Sequence, residues 1–461
     1  MSKRVVVIGG GSAGVGAAYR AAHLGGDVTV IESSLFLGGT STLGGVNCWE
    51  PGIASFGLNR TLYQRMRNIP YGASVGMTLH PYTSDSHIGL NGVDFDLPYE
   101  ITLKRSDLEW DKMARVHFEP GVMARCMVDV LNEVGVTIST SSAFIAVKSE
   151  GERITGVYVR DLITGEEYLL PCDVLIDATA DAVVFKQLGL PTRFGEDGFD
   201  DFNEPSAPEK SSSIVNSVSL CFRVSKGDLG NEAPIWTHNT EASEWISKGN
   251  LPCSNVDAYP NGDLNFNPLP IMQGNEYFSL NPYQRHKLLT ARVYLYWEWM
   301  KREHGHKGYH ISEIFPRVGV RESWRCVTLD TTTEHDLRRG CFSQGDDIIA
   351  LADHMLDTHG QRSKEMHLSA TVKVPYGVKI GSLISGVYSN LLVAGRCAGF
   401  SHIAASSCRL TRTMMDMGEA AGALAVLGDD LRTPCTAAVR QALGFERYLE
   451  WTAREYPRIG I

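Results

Sequence analysis

Few folds accommodate the way this chain begins. Val5, Val6, Val7 and Ile8 leave no polar face, so Lys3 to Ile8 reads as a short strand covered on both sides. Gly9-Gly10-Gly11-Ser12-Ala13-Gly14 follows at once, and Gly9, Gly11 and Gly14 fit the spacing G-x-G-x-x-G. In that pattern the first glycine permits a tight turn and the second lets backbone approach a pyrophosphate. The third lets a helix pack closely on its strand. The alanine-rich stretch Ala13 to Leu24 is the expected helix, and Gly25-Gly26 ends it. Asp27 to Ile31 is a second strand that delivers Glu32, 18 positions past Gly14. An acid there holds ribose hydroxyls, and its charge disfavours a 2′-phosphate. A lone G-x-G-x-x-G is a weak signal, whereas strand, glycines, helix, strand and acid in order are specific. The pattern does not separate NAD from FAD.

At 461 residues the chain exceeds what one core usually holds, about 250–300 residues, so two domains are expected. The net charge of -10 and the absence of a Lys/Arg-rich run argue against nucleic acid or an anionic membrane as partner. No apolar run approaches the roughly 18 residues of a membrane span. The apolar run at the start is too short for a signal peptide, and glycines interrupt it, so a cytoplasmic location is expected. The ten cysteines are scattered without any C-x-x-C, which disfavours a disulfide framework or an iron–sulfur site. No metal is expected.

Three further segments carry a family resemblance. Leu37-Gly38-Gly39-Thr40-Ser41-Thr42-Leu43-Gly44-Gly45-Val46 resembles the glycine-rich extension that follows the acid in flavoproteins of the glutathione-reductase-like superfamily. Val174 to Asp181 is similar to their strand and A-T-G turn, with Ala180 in place of the glycine. Asn390 to Gly399, a buried strand running into Gly395-Arg396, looks like the strand that meets the ribityl chain. With Arg317 to Ser323, Pro375-Tyr376-Gly377, His402 to Arg409 and Met417 to Gly422, the order resembles the FAD-dependent oxidoreductase family. The resemblance implies FAD as cofactor, with contacts at Gly9, Gly11, Ser12, Ala13, Gly14, Glu32 and Ser33. It further implies contacts at Gly39, Thr40, Ser41, Ala143, Phe144, Ala178, Thr179, Asp181, Gly395, Arg396, Ala405 and Ser406.

The implied fold is α/β, with a discontinuous Rossmann-type FAD-binding domain bearing a parallel sheet and a β-meander, plus a mixed α+β substrate domain. The FAD-binding domain takes 1–60, 106–190 and 372–430, and 191–371 forms the substrate domain. Residues 61–105 form a cap and 431–461 a tail. Within the first domain, Glu119 to Gly135 is a helix and Val136 to Ile138 a parallel strand. Ala143 to Lys148, Ile154 to Arg160 and Glu167 to Leu170 alternate like a three-stranded antiparallel meander. A helix over Leu288 to Arg302 carries Tyr294, Tyr296, Trp297 and Trp299, which line either a sugar site or a core.

The flavin performs the redox step, and the protein orients substrate and tunes the ring. A helix from Ser407 to Leu427 points its N-terminus at the negative edge of the reduced ring, with Arg409 adding charge there or pairing with a carboxylate elsewhere. His402 is either the general base or a histidine that only hydrogen-bonds. Arg321 either grips a substrate carboxylate or is tied up by Glu322 or Asp330. His80 and His87 are the next candidates for the base, and Cys48 ranks low for a redox role. There is no second strand–G-x-G-x-x-G–helix unit, so the electrons are expected to come from a small-molecule substrate, by a dehydrogenase or oxidase reaction. A reductase fed by NAD(P)H or a partner protein, and a non-redox flavin-binding protein, are the alternatives. Bleaching by NADH or NADPH alone separates them. A homo-oligomer is compatible with the sequence.

Overall fold

The computed structural model describes residues 2–53, 56–77, 97–103, 114–230, 232–248, 251–259, 261–304, 306, 308–359, 369–370, 372 and 374–455. It is a mixed α/β structure with one parallel and several antiparallel sheets. The parallel sheet has the order Leu391–Val393, Val174–Asp177, Arg4–Ile8, Asp27–Ile31, Thr137–Ser139. Ile8 sits opposite Ile31 on one side and Asp177 on the other. From the first strand the chain crosses through the helix Ser12–His23 to Asp27–Ile31, and only much later returns to the opposite side as Val174–Asp177. The strand order therefore reverses at Arg4–Ile8, and the crevice beyond the carboxyl ends of such strands is where α/β sheets bind ligands.

The expected local elements appear within a few residues of their predicted ends: the helix at Pro120–Glu133, then the meander Ser142–Glu150, Arg153–Asp161, Glu167–Pro171. The single helix predicted from Ser407 to Leu427 is instead two, His402–Cys408 and Thr411–Leu427, separated at Arg409-Leu410. The longer one lies against Ser12–His23 along a seam of small residues. A Cβ on Gly16 would stand 2.3 Å from the Met415 carbonyl oxygen, and one on Gly418 would stand 2.0 Å from that of Ala13. Gly422 approaches the Ala17 carbonyl in the same way, at 2.2 Å. Backbone on backbone at this range fixes the start of the long helix relative to the glycine loop.

A second core belongs to a four-stranded antiparallel sheet ordered Cys253–Ala258, Leu264–Leu269, Phe222–Lys226, Tyr309–Ile314, backed by the helix Pro282–His304. Tyr296 and Trp297 are fully buried, and Trp297 meets Phe222 and Phe266 edge-on at 6.0 and 5.5 Å between ring centroids. These two aromatics are core packing and not a sugar platform. In the two strands nearest the crevice the side chains alternate: Val256, Ala258, Leu264 and Phe266 enter the core, while Asn255, Asp257 and Asn267 face the other way.

The packing redraws the expected boundaries. Cys326, Leu337, Ile348–Ala352 and Leu356 join the larger core of the parallel sheet, well before position 372. Leu62, Tyr63, Met66, Val75, Tyr99 and Leu103 do so too, so the described part of 61–105 is core and not a detached cap. Positions 78–96 and 104–105, with His80 and His87, lie outside the described residues. The tail folds as two helices, Thr436–Leu443 and Phe445–Glu455, with Tyr448 stacked on Phe56 at 4.5 Å. No helix among the described residues is long and apolar enough to cross a membrane.

Candidate active site

A cavity of about 610 Å³ opens at the carboxyl ends of the parallel strands. One half is lined from the sheet: Gly9, Gly11, Ser12 and Ala13; Glu32 and Ser33; Gly39 and Thr40; Ala143 and Phe144; Ala178, Thr179 and Asp181; Gly395 and Arg396. The three motif glycines differ in what they permit. Gly9 has φ +102°, and a Cβ there would meet the Ala178 carbonyl oxygen at 2.4 Å. A Cβ on Gly14 would stand 1.8 Å from the Gly9 carbonyl oxygen, so Gly14 serves packing beneath the loop and does not line the cavity. A Cβ on Gly11 would meet nothing within 4 Å, because it would project into the open space of the cavity.

Glu32 is buried and its carboxylate accepts the backbone N–H groups of Gly10 at 2.7 Å and Ser34 at 2.8 Å. It thus clamps the glycine loop while still lining the cavity. Asp177 plays the same part for the neighbouring turn. It accepts from Thr179 Oγ1 at 2.6 Å and from the Val184 N–H at 3.0 Å. Ala180 adopts φ +67°, the left-handed conformation its glycine-bearing counterpart would favour, so the substitution leaves the turn in place at a steric cost of about 1–2 kcal/mol. Asp181 pairs with Arg396 at 2.5 Å and with Ser323 Oγ at 2.6 Å. Burial raises the Asp181 carboxyl, and Arg396 and Ser323 outweigh it to hold the group below its ordinary range.

Besides Gly14, three expected contacts fall elsewhere. Ser41 is buried outside the lining, its Oγ 3.5 Å from Thr411 Oγ1. Ala405 and Ser406 are buried in the short helix, and the Ser406 hydroxyl donates to the Ile403 carbonyl at 2.7 Å. None of the three lines the cavity.

The other half of the cavity is polar and charged, with lining side chains that include Glu50, Arg115, Ser219, Asn255, Asp257, Asn267, Arg321, His354, Asp357, His359, Arg409 and Arg412. Arg115 is pinned between Asp257, at 3.5 Å, and Glu50, at 3.8 Å. His354 Nε2 lies 3.1 Å from the same Glu50. Arg412 donates to the Thr102 carbonyl at 3.1 Å and to the Glu50 carbonyl. Asp357 accepts from two directions, His359 Nε2 at 2.6 Å and Arg409 Nη2 at 2.8 Å. Burial pushes the His359 imidazole down to about 4, against the pull of Asp357 and with help from Arg321 and Arg409. Arg321 donates to the Ser219 hydroxyl at 2.8 Å and forms no ion pair among the described residues. Neither expected competitor holds it: Glu322 pairs with Arg325 and His402, and Asp330 pairs with Lys379 at 3.0 Å. Burial, with Arg409 nearby, lowers the Arg321 guanidinium to about 10.

His402 is not where a base belongs. It is buried and outside the cavity lining, with its backbone N–H on Asp197 at 2.7 Å and Nδ1 on Glu322 at 2.7 Å. Burial lowers the ring and Glu322 overcomes it, so the net displacement is upward and favours the proton-bearing form. It reaches the cavity only indirectly, since Glu322 also accepts from Asn216 Nδ2 at 2.9 Å and Asn216 Oδ1 receives the His359 N–H at 2.5 Å. Two histidines do line the cavity, His354 and His359, and both lie in a stretch whose sequence carries no motif. Arg317, exposed at the rim, also lines the cavity beside Gly39. Among the described residues no group of three or more His, Cys, Asp or Glu side chains is arranged to hold a metal.

A glycine loop open to a cavity, an acid clamped at the second strand and a charged chamber beyond them define a nucleotide-cofactor enzyme. The family comparison makes this specific: the FAD dependent oxidoreductase model matches residues 4–441, and the chain belongs to that family. Its cofactor is FAD, and it is an oxidoreductase. No curated protein matches it by sequence. Among solved structures it is similar to a flavoprotein/dehydrogenase from Cytophaga hutchinsonii, at 13% identity over 99% of this chain and 86% of that one, with a TM-score of 0.47. It is also similar to p-nitrophenol 4-monooxygenase PnpA from Pseudomonas putida DLL-E4, at 12% identity over 98% and 87%, TM-score 0.48. A third is the L-amino acid deaminase from Proteus myxofaciens, at 13% over 92% and 89%, TM-score 0.44. Likeness at this level says nothing of substrate.

Proposed function

We propose that the protein oxidises a small organic substrate by hydride transfer, as a dehydrogenase or oxidase, with His359 as the proton acceptor. The carrying observation is that the Asp357–His359 pair opens into the same cavity as the glycine loop. The cavity suits the cofactor: open space at Gly11 and the backbone N–H groups starting the helix Ser12–His23 fit a pyrophosphate, Glu32 a ribose, and Ala143 with Phe144 the adenine. Thr40, Asp181 and Arg396 follow along the wall, and the N-terminus of Thr411–Leu427 faces the space beyond. Bound FAD supplies the two-electron acceptor.

The protein's own part is proton handling and orientation. The His359 Nε2–H donates to Asp357, which orients the ring toward the cavity. Burial keeps the ring neutral at neutral pH, able to take the O–H or N–H proton as the substrate loses its hydride but a weaker base than an ordinary histidine. The substrate loses two electrons and one proton beyond the hydride's own, and His359 keeps that proton until solvent removes it. Asp357 has the further task of holding Arg409 in the same wall.

Anaerobic mixing of the holoenzyme with a panel of alcohols, amines, hydroxy acids and amino acids, scored by flavin bleaching, tests this. At least one class should bleach the flavin without NADH or NADPH. Bleaching by a reduced nicotinamide alone, with no response to any organic substrate, would instead make the chain a reductase.

A further inference from the structure

In the charged half of the cavity one cation stands apart from the ion pairs, and its open donors point to a substrate class. Arg115 and Arg396 are each matched by carboxylates, and Arg412 is spent on carbonyl groups. Around Asp357 the pairing differs. Arg409 is ion-paired to Asp357 at 2.8 Å, whereas Arg321 feels Asp357 and Glu50 only through space. Asp357 Oδ2 accepts from both Arg409 and His359, at 2.8 and 2.6 Å, and no hydrogen bond or ion pair joins Asp357 to Arg321 among the described residues. Arg321 is left with the Ser219 hydroxyl as its hydrogen-bond acceptor among the described residues. Ser219 itself is buried, and its backbone is paired with Gly319, so that end of Arg321 is held in one place.

A half-buried guanidinium beside a second one is unfavourable unless an anion joins them. Arg321 has a planar fork of donors, only one of which is occupied by Ser219, and a fork matches a carboxylate with two parallel bonds. We propose that the cavity binds its substrate through a carboxylate seated on Arg321, with Arg409 completing the positive wall. The proposal rests on the reading above that the substrate enters the half of the cavity shared by Arg321 and His359. The group to be oxidised then stands next to that carboxylate, facing His359, which makes small hydroxy or amino carboxylates the substrate class. A neutral alcohol or a free amine would leave the Arg321 fork without an anionic acceptor.

The test is ligand binding to the oxidised holoenzyme, read as a change in flavin absorbance. Glycolate, pyruvate and benzoate are titrated beside glycolamide, pyruvamide and benzamide, which match them in shape but carry no charge. Sodium chloride and sodium sulfate serve as ionic controls. The carboxylates should saturate, and the amides should bind at least thirtyfold more weakly. Arg321→Lys, which keeps the charge and loses the fork, should weaken carboxylate binding about tenfold while retaining FAD. Arg321→Met should weaken it further, to the level of the amides. Equal binding of acids and amides by the wild-type protein overturns the proposal, and so does wild-type carboxylate affinity in an Arg321→Lys protein carrying its full complement of FAD. If Arg321 variants fail to retain FAD, the acid-against-amide comparison on the wild-type protein decides alone. The two readings fail separately. Carboxylates that bind but never bleach the flavin leave this inference standing and sink the hydride-transfer reading. Bleaching by neutral substrates as readily as by acids does the reverse.

Discussion

Replacing His359 with glutamine is the sharpest single perturbation of the chemistry. In the native protein the ring sits near 4 where an ordinary histidine sits near 6.5, displaced first by burial and then by the two neighbouring guanidiniums. That displacement corresponds to roughly 3 kcal/mol favouring the neutral ring. The sign for catalysis follows directly: the base is competent above about 4 and is lost as pH falls through that value. Flavin reduction measured by anaerobic stopped flow should therefore be flat from pH 8 down to about 5 and then decline with a single ionisation. His359→Gln should retain FAD, lose that ionisation and reduce about 10²–10⁴ times more slowly. Stability carries the opposite face of the same shift. Between pH 6.5 and 4 the unfolded chain takes up a proton that the native ring refuses, so this group's contribution to stability falls as pH drops through that window. A wild-type rate profile that breaks near 6.5, or a His359→Gln protein that reduces at the wild-type rate, refutes the assignment.

Two other substitutions separate roles that the sequence alone confuses. Gly11→Val should fold with an unchanged far-UV spectrum yet purify colourless, since its side chain would enter only open cavity space; FAD retained at wild-type stoichiometry would contradict this. His402→Gln removes one of the partners of Glu322, which keeps Arg325 and Asn216, so stability should fall by about 1.5–3 kcal/mol. The pH profile of flavin reduction should keep its shape, and a change in the ionisation near 4 would return His402 to the chemistry.

Much of the nucleotide half was legible because local rules dictate it. The strand Arg4–Ile8, its glycines and Glu32 lie within one continuous stretch, and each residue type has a physical reason to be there. The meander read correctly because its strands alternate at period two. The substrate half resisted for a different reason. Cys253–Ala258 and Leu264–Leu269 carry Asn255, Asp257, Asn265 and Asn267, residue types depleted in strands, which make the segment look like loop. In the structure Asn255, Asp257 and Asn267 are polar because they face the cavity. His359 and Asp357 carry no motif, and their significance appears only when the long-range fold brings Arg321 and Arg409 beside them. His402 follows Gly395-Arg396 closely in sequence but does not line the cavity, because the helix His402–Cys408 turns its first residue toward Glu322.

A crystal structure of the FAD-bound protein tests the central claim most directly. The pyrophosphate is expected over Gly11, a ribose on Glu32, and the isoalloxazine ring bordering the chamber of Arg321, Asp357, His359 and Arg409. A ring lying away from that chamber, with His359 unable to reach any molecule placed against it, would contradict the account.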